Sequence, residues 1–508
     1  MELTQSTSIF MMPFFFDNKE KIFTPGEESI WKKCTVSLDK GKLYPHIQKV
    51  LQSSGDTSDI GYRLYSLSES VMAENIKKVL ARKMKITVKG DDGMNRDIFF
   101  RLGQAEISGK EETFFSPKLL ICPNSRTGML IFSCILEKKH QTMEDLISLN
   151  YAIFKTYPEG SSQNHDIYIA RGEKVCMDEE AKKNAAERAQ KVADLMQKVF
   201  GTTESWNMSM LTQRLMSEVT GHSRLDPFRL HVFTYLQLTQ DKCSPRVLTD
   251  FHRILKLQNY NYQVSVTGGT PVPYRNTFNN IYIGSTVEGG GIMTFIPKKE
   301  QDKEGNSFLR DFRKSSLSQV YLWIYIMVQM QRYTLINIER NLTEYDFNNE
   351  NTKDSRANLR EFVTLMTKNK INTYFTDVST HTHHNLFYSL CCQNLSIKAI
   401  SETVEQKIFA LKEHLDLLID EEELNLAAIQ NEISERRETS MQIITVIGAV
   451  IALFSVFNDA FGMLDGDHFM LYDSCTAPWL RNLSVTGVII GVALIAAAWA
   501  INFFKKNK

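Results

Sequence analysis

The sequence predicts an α+β chain of α/β character: a cytoplasmic sheet-and-helix domain, then a long-helix stalk and two C-terminal transmembrane helices, repeated in a symmetric homo-oligomer. Three observations predict it. Short β-like runs alternate with helical ones through about the first 300 residues, no Pro falls between Pro297 and Pro478, and two uncharged apolar segments sit near the C-terminal end. The chain has 508 residues, 43% of them hydrophobic, with 59 basic and 59 acidic side chains. That balance excludes disorder and a fibrous repeat. It also argues against affinity gained mainly by neutralising nucleic-acid phosphates, so no direct nucleic-acid partner is expected.

Residues 1–310 form the expected α/β ligand-sensing domain. Its candidate strands are Lys83–Lys89, Asp97–Leu102, Lys118–Cys122, Met129–Leu136, Asn261–Val266, Ile281–Val287 and Ile292–Ile296. Its candidate helices are Ser68–Arg82, Met143–Phe154, Asp178–Phe200 and Pro245–Leu257. At the N-terminus, Ile9–Phe16 is apolar but short and broken by Pro13, and no basic residue precedes it, so no signal peptide is expected.

Residues 311–440 read as a helical stalk. Ser315–Tyr345 holds nine uninterrupted apolar residues, Val320–Val328, which suits a packed core helix and not a span. A helix over about 355–370 follows. A third, starting between Leu386 and Ile397, meets neither Pro nor Gly until Gly448 and repeats apolar residues at steps of three and four from Ile397 to Leu418. Continued through Phe457 it would run roughly 90 Å. Its stripe needs cover, and copies of the same chain can supply it. The acidic run Asp420–Glu423 reads as a solvated face.

The spans come next. Met441–Phe457 and Ser484–Phe504, about 17 and 21 uncharged residues, bracket the length a helix needs to cross a hydrocarbon core about 30 Å thick. The expected order is a pore-lining helix at 441–464, an external loop at 465–483, a second helix at 484–504 and a basic tail at 505–508. Arg436, Arg437, Lys505, Lys506 and Lys508 flank the spans, whereas the loop holds one cation, Arg481. This places both termini in the cytoplasm and the chain in the inner membrane.

On a helix, Met441, Ile444, Gly448, Ala452, Ser455 and Asp459 share one face, running from bulky apolar residues through small ones to a carboxylate. A ring of such faces would make a narrow pore with a hydrophobic constriction and a cation-attracting mouth; close helix packing is the plainer reading of Gly448 and Ala452. Gly487 and Gly491 form a GxxxG pair suited to helix contact.

These features together resemble the CorA family of divalent-cation transporters, over Ser315–Lys508 in particular. The family's Gly-Met-Asn filter after the first span is matched by Gly462, Met463 and Leu464, so the Asn that would face hydrated magnesium is replaced by an apolar side chain. Gly93-Met94-Asn95 lies in a polar turn far from either span. CorA-like chains without the filter resemble membrane effectors of type III CRISPR systems. That resemblance implies a channel or membrane-disrupting protein gated by a nucleotide second messenger, an S-adenosylmethionine–AMP conjugate, in antiphage defence. It also implies a pentamer, although small-residue interfaces suit a tetramer as well. The alternative is a divalent-cation transporter with a divergent filter.

For the nucleotide, the loop from Thr267 to Asn276 offers backbone at Gly268 and Gly269, a ring at Tyr274 and a cation at Arg275; Gly289–Gly291 reads as a second loop of this kind, and both also read as plain hairpin turns. No Walker A sequence, Rossmann fingerprint or nucleophile elbow occurs, so no enzyme activity is expected. The eight cysteines form no CxxC pair. His381, His383 and His384, followed by Cys391 and Cys392, read as a polar helix start in preference to a metal site, and no cofactor is expected besides the nucleotide.

Overall fold

Sixteen strands and ten helices carry the described fold. A computed structural model describes the chain from Glu2 to Asp465, apart from internal stretches of which 17–21, 52–60, 171–178, 263–271, 298–308 and 344–351 are the longest; beyond Asp465 it describes Gly491 and Trp499. Within parts of the helices the backbone alone is described.

The strands are β1 (Leu3–Phe16), β2 (Trp31–Cys34), β3 (Arg63–Leu67), β4 (Met84–Lys89), β5 (Asn95–Leu102), β6 (Ala105–Ile107), β7 (Lys110–Glu112), β8 (Lys118–Cys122), β9 (Thr127–Leu136), β10 (Ile167–Ile169), β11 (Ser205–Trp206), β12 (Ser223–Leu225), β13 (His231–Thr239), β14 (Tyr274–Phe278), β15 (Ile281–Ser285) and β16 (Gly289–Ile296). Fourteen of them form one sheet, whose main path runs β11-β10-β4-β5-β9-β1-β13-β16-β15-β14. A branch of β8, β3 and β2 leaves β9, and β12 continues the ladder of β1 beyond β13. β13 and β16 pair in parallel and the other ladders of this sheet are antiparallel.

The Ile9–Phe16 run, to which the sequence reading assigns no element, lies in the central strand of the sheet. β1 is buried from Ser6 to Phe16 and pairs with β9 on one side and β13 then β12 on the other. Proline in a central strand removes a ladder donor. On the β13 side, however, pairing stops at Met11 and resumes with β12 at Phe14, so Pro13 falls where that ladder has no rung.

The sequence also reads Gly289–Gly291 as a loop, whereas all three open β16. A Cβ on Gly290 would lie 2.6 Å from Tyr325 Cε2, and one on Gly291 2.7 Å from the Thr234 carbonyl, so the glycines admit close neighbours on both faces. Of the candidate strand Asn261–Val266, residues 263–266 lie outside the described residues.

The helices are α1 (Pro45–Leu51), α2 (Val71–Leu80), α3 (Met143–Phe154), α4 (Glu179–Phe200), α5 (Met208–Met216), α6 (Pro245–Leu255), α7 (Leu322–Thr343), α8 (Thr352–Thr373), α9 (Thr382–Asn394) and α10 (Ile397–Asp465). Local chemistry starts several of them. Thr142 Oγ1 accepts from the Asp145 amide at 3.1 Å, Asn207 Oδ1 from Met210 at 3.0 Å, and Ser244 caps α6 ahead of Pro245 at its first position. A π-helical stretch, Arg313–Tyr321, leads into α7. α7 is the packed core helix expected, with Leu322 to Gln331 all buried. Ser396, with φ 54°, separates α9 from α10, so the third stalk helix starts at Ile397, at the far end of the interval the sequence allows.

The chain divides into two units, Met1–Leu417 and Leu418–Lys508. In the first, Val404, Leu411 and Leu415 of α10 are buried. In the second, Leu424, Leu426, Ile429, Ile433, Met441, Ile444, Ile447 and Ile451 are exposed.

The expected transmembrane architecture and inner-membrane location are corrected here. Among the described residues, no helix is long and apolar enough to cross a membrane. Residues 441–464 are the C-terminal part of α10. The second expected span, 484–504, lies outside the described residues except for Gly491 and Trp499. The chain is a mixed α/β protein with a long helix, and the assignment of both termini to the cytoplasm falls with the spans that oriented it.

Candidate functional site: a cationic cleft between a sheet turn and a helix

The tight connection between β8 and β9 is the first wall of a cleft. The Arg126 amide donates to the Pro123 carbonyl at 3.3 Å, closing a turn that holds Arg126 at φ 53°, a region costly for a side chain larger than glycine. Several contacts hold it there. The Phe16 amide of β1 donates to the Arg126 carbonyl at 2.8 Å, Asn337 Nδ2 of α7 donates to the Ser125 carbonyl at 3.2 Å, and Ser125 and Thr127 share a hydroxyl bond of 2.6 Å.

The second wall is α8. Glu361, Thr364, Leu365 and Lys368 recur at steps of three and four and so share a face, with Arg360 beside it. Leu365 and Asn369 are buried and anchor that face, while the charged heads reach the opening.

Between the walls is a cavity of about 280 Å³ lined by Asn124, Arg126, Arg360, Glu361, Thr364 and Lys368 among others. Three cations face one carboxylate, so the lining carries an excess of positive charge. Arg126 Nη2 pairs with Glu361 Oε1, and Lys368 Nζ donates to Asn124 Oδ1 at 3.4 Å. The Arg126 side chain is 14% exposed, and burial pushes its guanidinium down from the ordinary arginine range. Its Nε has no partner among the described residues.

A narrower recess of about 30 Å³ opens beneath, lined by Tyr62, Cys122, Ser125, Thr334 and Leu365 among others. The Tyr62 hydroxyl is buried there without a hydrogen-bond partner among the described residues, and burial raises its pKa well above the ordinary tyrosine value. Burial likewise raises the Cys122 thiol, which keeps it protonated and unreactive at neutral pH. Arg340 Nη2 donates to Asn337 Oδ1 at 2.9 Å, and its guanidinium lies 4.7 Å over the Phe15 ring.

This arrangement suits an anion. Guanidinium forks match phosphate geometry, and a lysine ammonium adds a point charge. The volume lies just below the roughly 300 Å³ at which ligand clefts begin, enough for one phosphorylated nucleoside fragment and too little for a polymer.

The residues singled out from sequence lie elsewhere. Tyr274 opens β14 but is 9% exposed and packs on Phe251 and Tyr282, at 5.9 and 6.4 Å between ring centroids, so its face is taken by the core. Arg275 is exposed and donates to the Tyr274 carbonyl at 3.3 Å. Gly268 and Gly269 lie outside the described residues, as does Gly487. Met441, Ile444, Gly448, Ala452 and Ser455 are exposed on α10. Asp459, Gly462, Met463 and Leu464 belong to the same helix, with side chains outside the described residues. Among the described residues, nothing lies within 4 Å of where a Cβ would stand on Gly448 or Gly491.

His381, His383 and His384 cluster at the start of α9, with ring centroids 4.3 to 5.4 Å apart, and His384 Nδ1 shares a 2.8 Å bond with Ser379 Oγ. Among the described residues no group of three His, Cys, Asp or Glu is placed to hold a metal ion. Gly93, with φ 76°, does lie at a turn before β5.

The cleft has no sequence signature, because its walls lie more than 200 residues apart. The one local hint is the Pro-Asn-Ser-Arg turn between two apolar strands. Comparisons with protein-family models, with curated proteins and with solved structures find no match.

Proposed function

We propose that the chain is a ligand-gated effector that binds a phosphate-bearing adenosine nucleotide between the β8–β9 turn and α8, and passes occupancy of that cleft to α10. The observation that carries the proposal is the convergence of Arg126, Arg360 and Lys368 on a cavity of nucleotide-fragment size. The likeness of the sequence to CorA-like antiphage effectors supports the ligand class, an S-adenosylmethionine–AMP type of second messenger. The exposed apolar stripe of α10 supports assembly into a homo-oligomer, a pentamer or a tetramer. The proposal ends at that assembly and includes no membrane pore. Divalent-cation transport is disfavoured at this cleft, since its three cations repel a divalent ion.

Binding measured by calorimetry on the full chain tests it, with ATP, AMP and the S-adenosylmethionine–AMP conjugate as probes. At least one adenosine phosphate binds, and Arg360→Ala with Lys368→Ala weakens it about tenfold or more, near 1.4 kcal/mol. Affinity unchanged in that double variant removes the cleft from the proposal.

A further inference from the structure

Glu361 stands where a ligand phosphate would. It is the one carboxylate among the described residues that line the cleft, and it is paired with Arg126, whose side chain is 14% exposed. The two partners are unequal. Arg126 is fixed through its own backbone, by bonds to Pro123 and Phe16, and its side chain is 14% exposed. Glu361 is 40% exposed and reaches in from the rim on α8. An incoming anion would therefore meet a guanidinium that stays in place and a carboxylate free to swing into water.

We infer that Glu361 is an internal occupant of the anion site, a built-in competitor that the ligand displaces from Arg126; this rests on the reading of the cleft as a phosphate site. The exchange needs no covalent step. One carboxylate leaves the Arg126 guanidinium and one phosphate oxygen replaces it, so the charge on Arg126 stays matched throughout.

Displacement also has a mechanical result. The Arg126–Glu361 pair ties α8 to the sheet turn, while Lys370, nine residues on in α8, is paired with Glu405 of α10 at 2.8 Å. Ligand entry cuts the charged tie and leaves the Lys370–Glu405 pair, so α8 is held less tightly to the turn, where the Lys368–Asn124 bond persists, while still attached to α10. Occupancy then has a defined outlet.

The test uses the full chain with ATP and inorganic pyrophosphate as probes, in calorimetry at one low ionic strength. Glu361→Gln and Glu361→Ala bind about threefold to tenfold tighter than the unmodified chain, the gain expected from removing a partly exposed competing charge. Glu361→Asp, which keeps the charge, stays close to the unmodified affinity. In hydrogen exchange without ligand, Glu361→Gln shows in α8 the protection pattern that the unmodified chain reaches only at saturating ATP. If both neutral variants bind no tighter while Arg360→Ala with Lys368→Ala still weakens binding, the competitor role is wrong and the cleft assignment stands. If no form of the chain binds either probe, both fail.

Discussion

Lys370 Nζ and Glu405 Oε1 meet at 2.8 Å and join the helix that walls the cleft to the helix that leaves the domain. Ser401 Oγ donates to the same carboxylate at 2.8 Å. The hydrogen bond from Lys370, chiefly, holds the Glu405 carboxyl below its ordinary 4.5. A depressed carboxylate contributes stability above that ordinary value and loses it as pH falls through the lower folded value.

Because both side chains are more than 40% exposed, solvent screening limits the energy of this pair. A double-mutant cycle of Lys370→Ala and Glu405→Ala, read by urea unfolding at pH 7, gives a coupling of about 0.5 kcal/mol. The larger effect is on communication. Lys370→Ala leaves nucleotide affinity close to normal but abolishes the nucleotide-dependent change in hydrogen exchange at the start of α10. An unchanged response would show that the signal takes another route.

His231 gives the fold an acid limit. Its ring, bonded through Nε2 to the Tyr333 hydroxyl, is pushed down to about 4 from 6.5, by burial first and the nearby Arg332 charge second. Lowered basicity means that the unfolded chain takes up this proton before the folded one, so stability is complete above about pH 6.5 and is lost as pH falls toward 4. The loss from this residue is on the order of 3 kcal/mol. Thermal unfolding followed from pH 7 to 4 checks it, and His231→Gln flattens the curve over that interval.

Gly128 is a packing requirement of the central sheet. It lies opposite Phe14 in the β1–β9 ladder, and a Cβ there would fall on the Phe14 ring. Gly128→Val destabilises by about 3 kcal/mol through overpacking. Gly26→Ala, where nothing among the described residues lies within 4 Å of the added carbon, changes the melting temperature little. Equal effects at the two sites would contradict the ladder register.

The exposed stripe of α10 makes the assembly testable. Ile429 and Ile433, 52% and 58% exposed, lie one turn apart. Burying each against another copy is worth about 1.5–3 kcal/mol. Ile429→Glu with Ile433→Glu lowers the association state in analytical ultracentrifugation and leaves the thermal transition of the sheet domain unchanged. A chain that is monomeric before and after the change would remove the oligomer from the proposal.

Elements set by neighbours in the chain were legible in the sequence. Met143–Phe154 was, because a Thr cap, two acids in the first turn and an apolar face all point to one helix. β4, β5, β8 and β9 were, from β-rich runs bounded by turns. β1 was not, since a strand buried on both faces lacks alternation and Pro13 reads as a break until the gap between β13 and β12 is known. The cleft was not legible either. Arg126 and Glu361 acquire meaning only through the fold that brings them together, whereas Tyr274, which looked like a ring awaiting a base, gives its face to Phe251. The apolar C-terminal segments read as spans from their length and lack of charge, and among the described residues no helix is long and apolar enough to be one.

The place of β1 sets a demand on biosynthesis. Ser8 must pair with Cys134 on one side and Thr234 on the other, so this strand leaves the ribosome long before either neighbour exists. Until then eleven successive positions that will be buried, with four phenylalanines among them, stay uncovered in the nascent chain. A holding chaperone becomes a condition for high yield, and residues 3–16 are the segment through which an interrupted chain would aggregate.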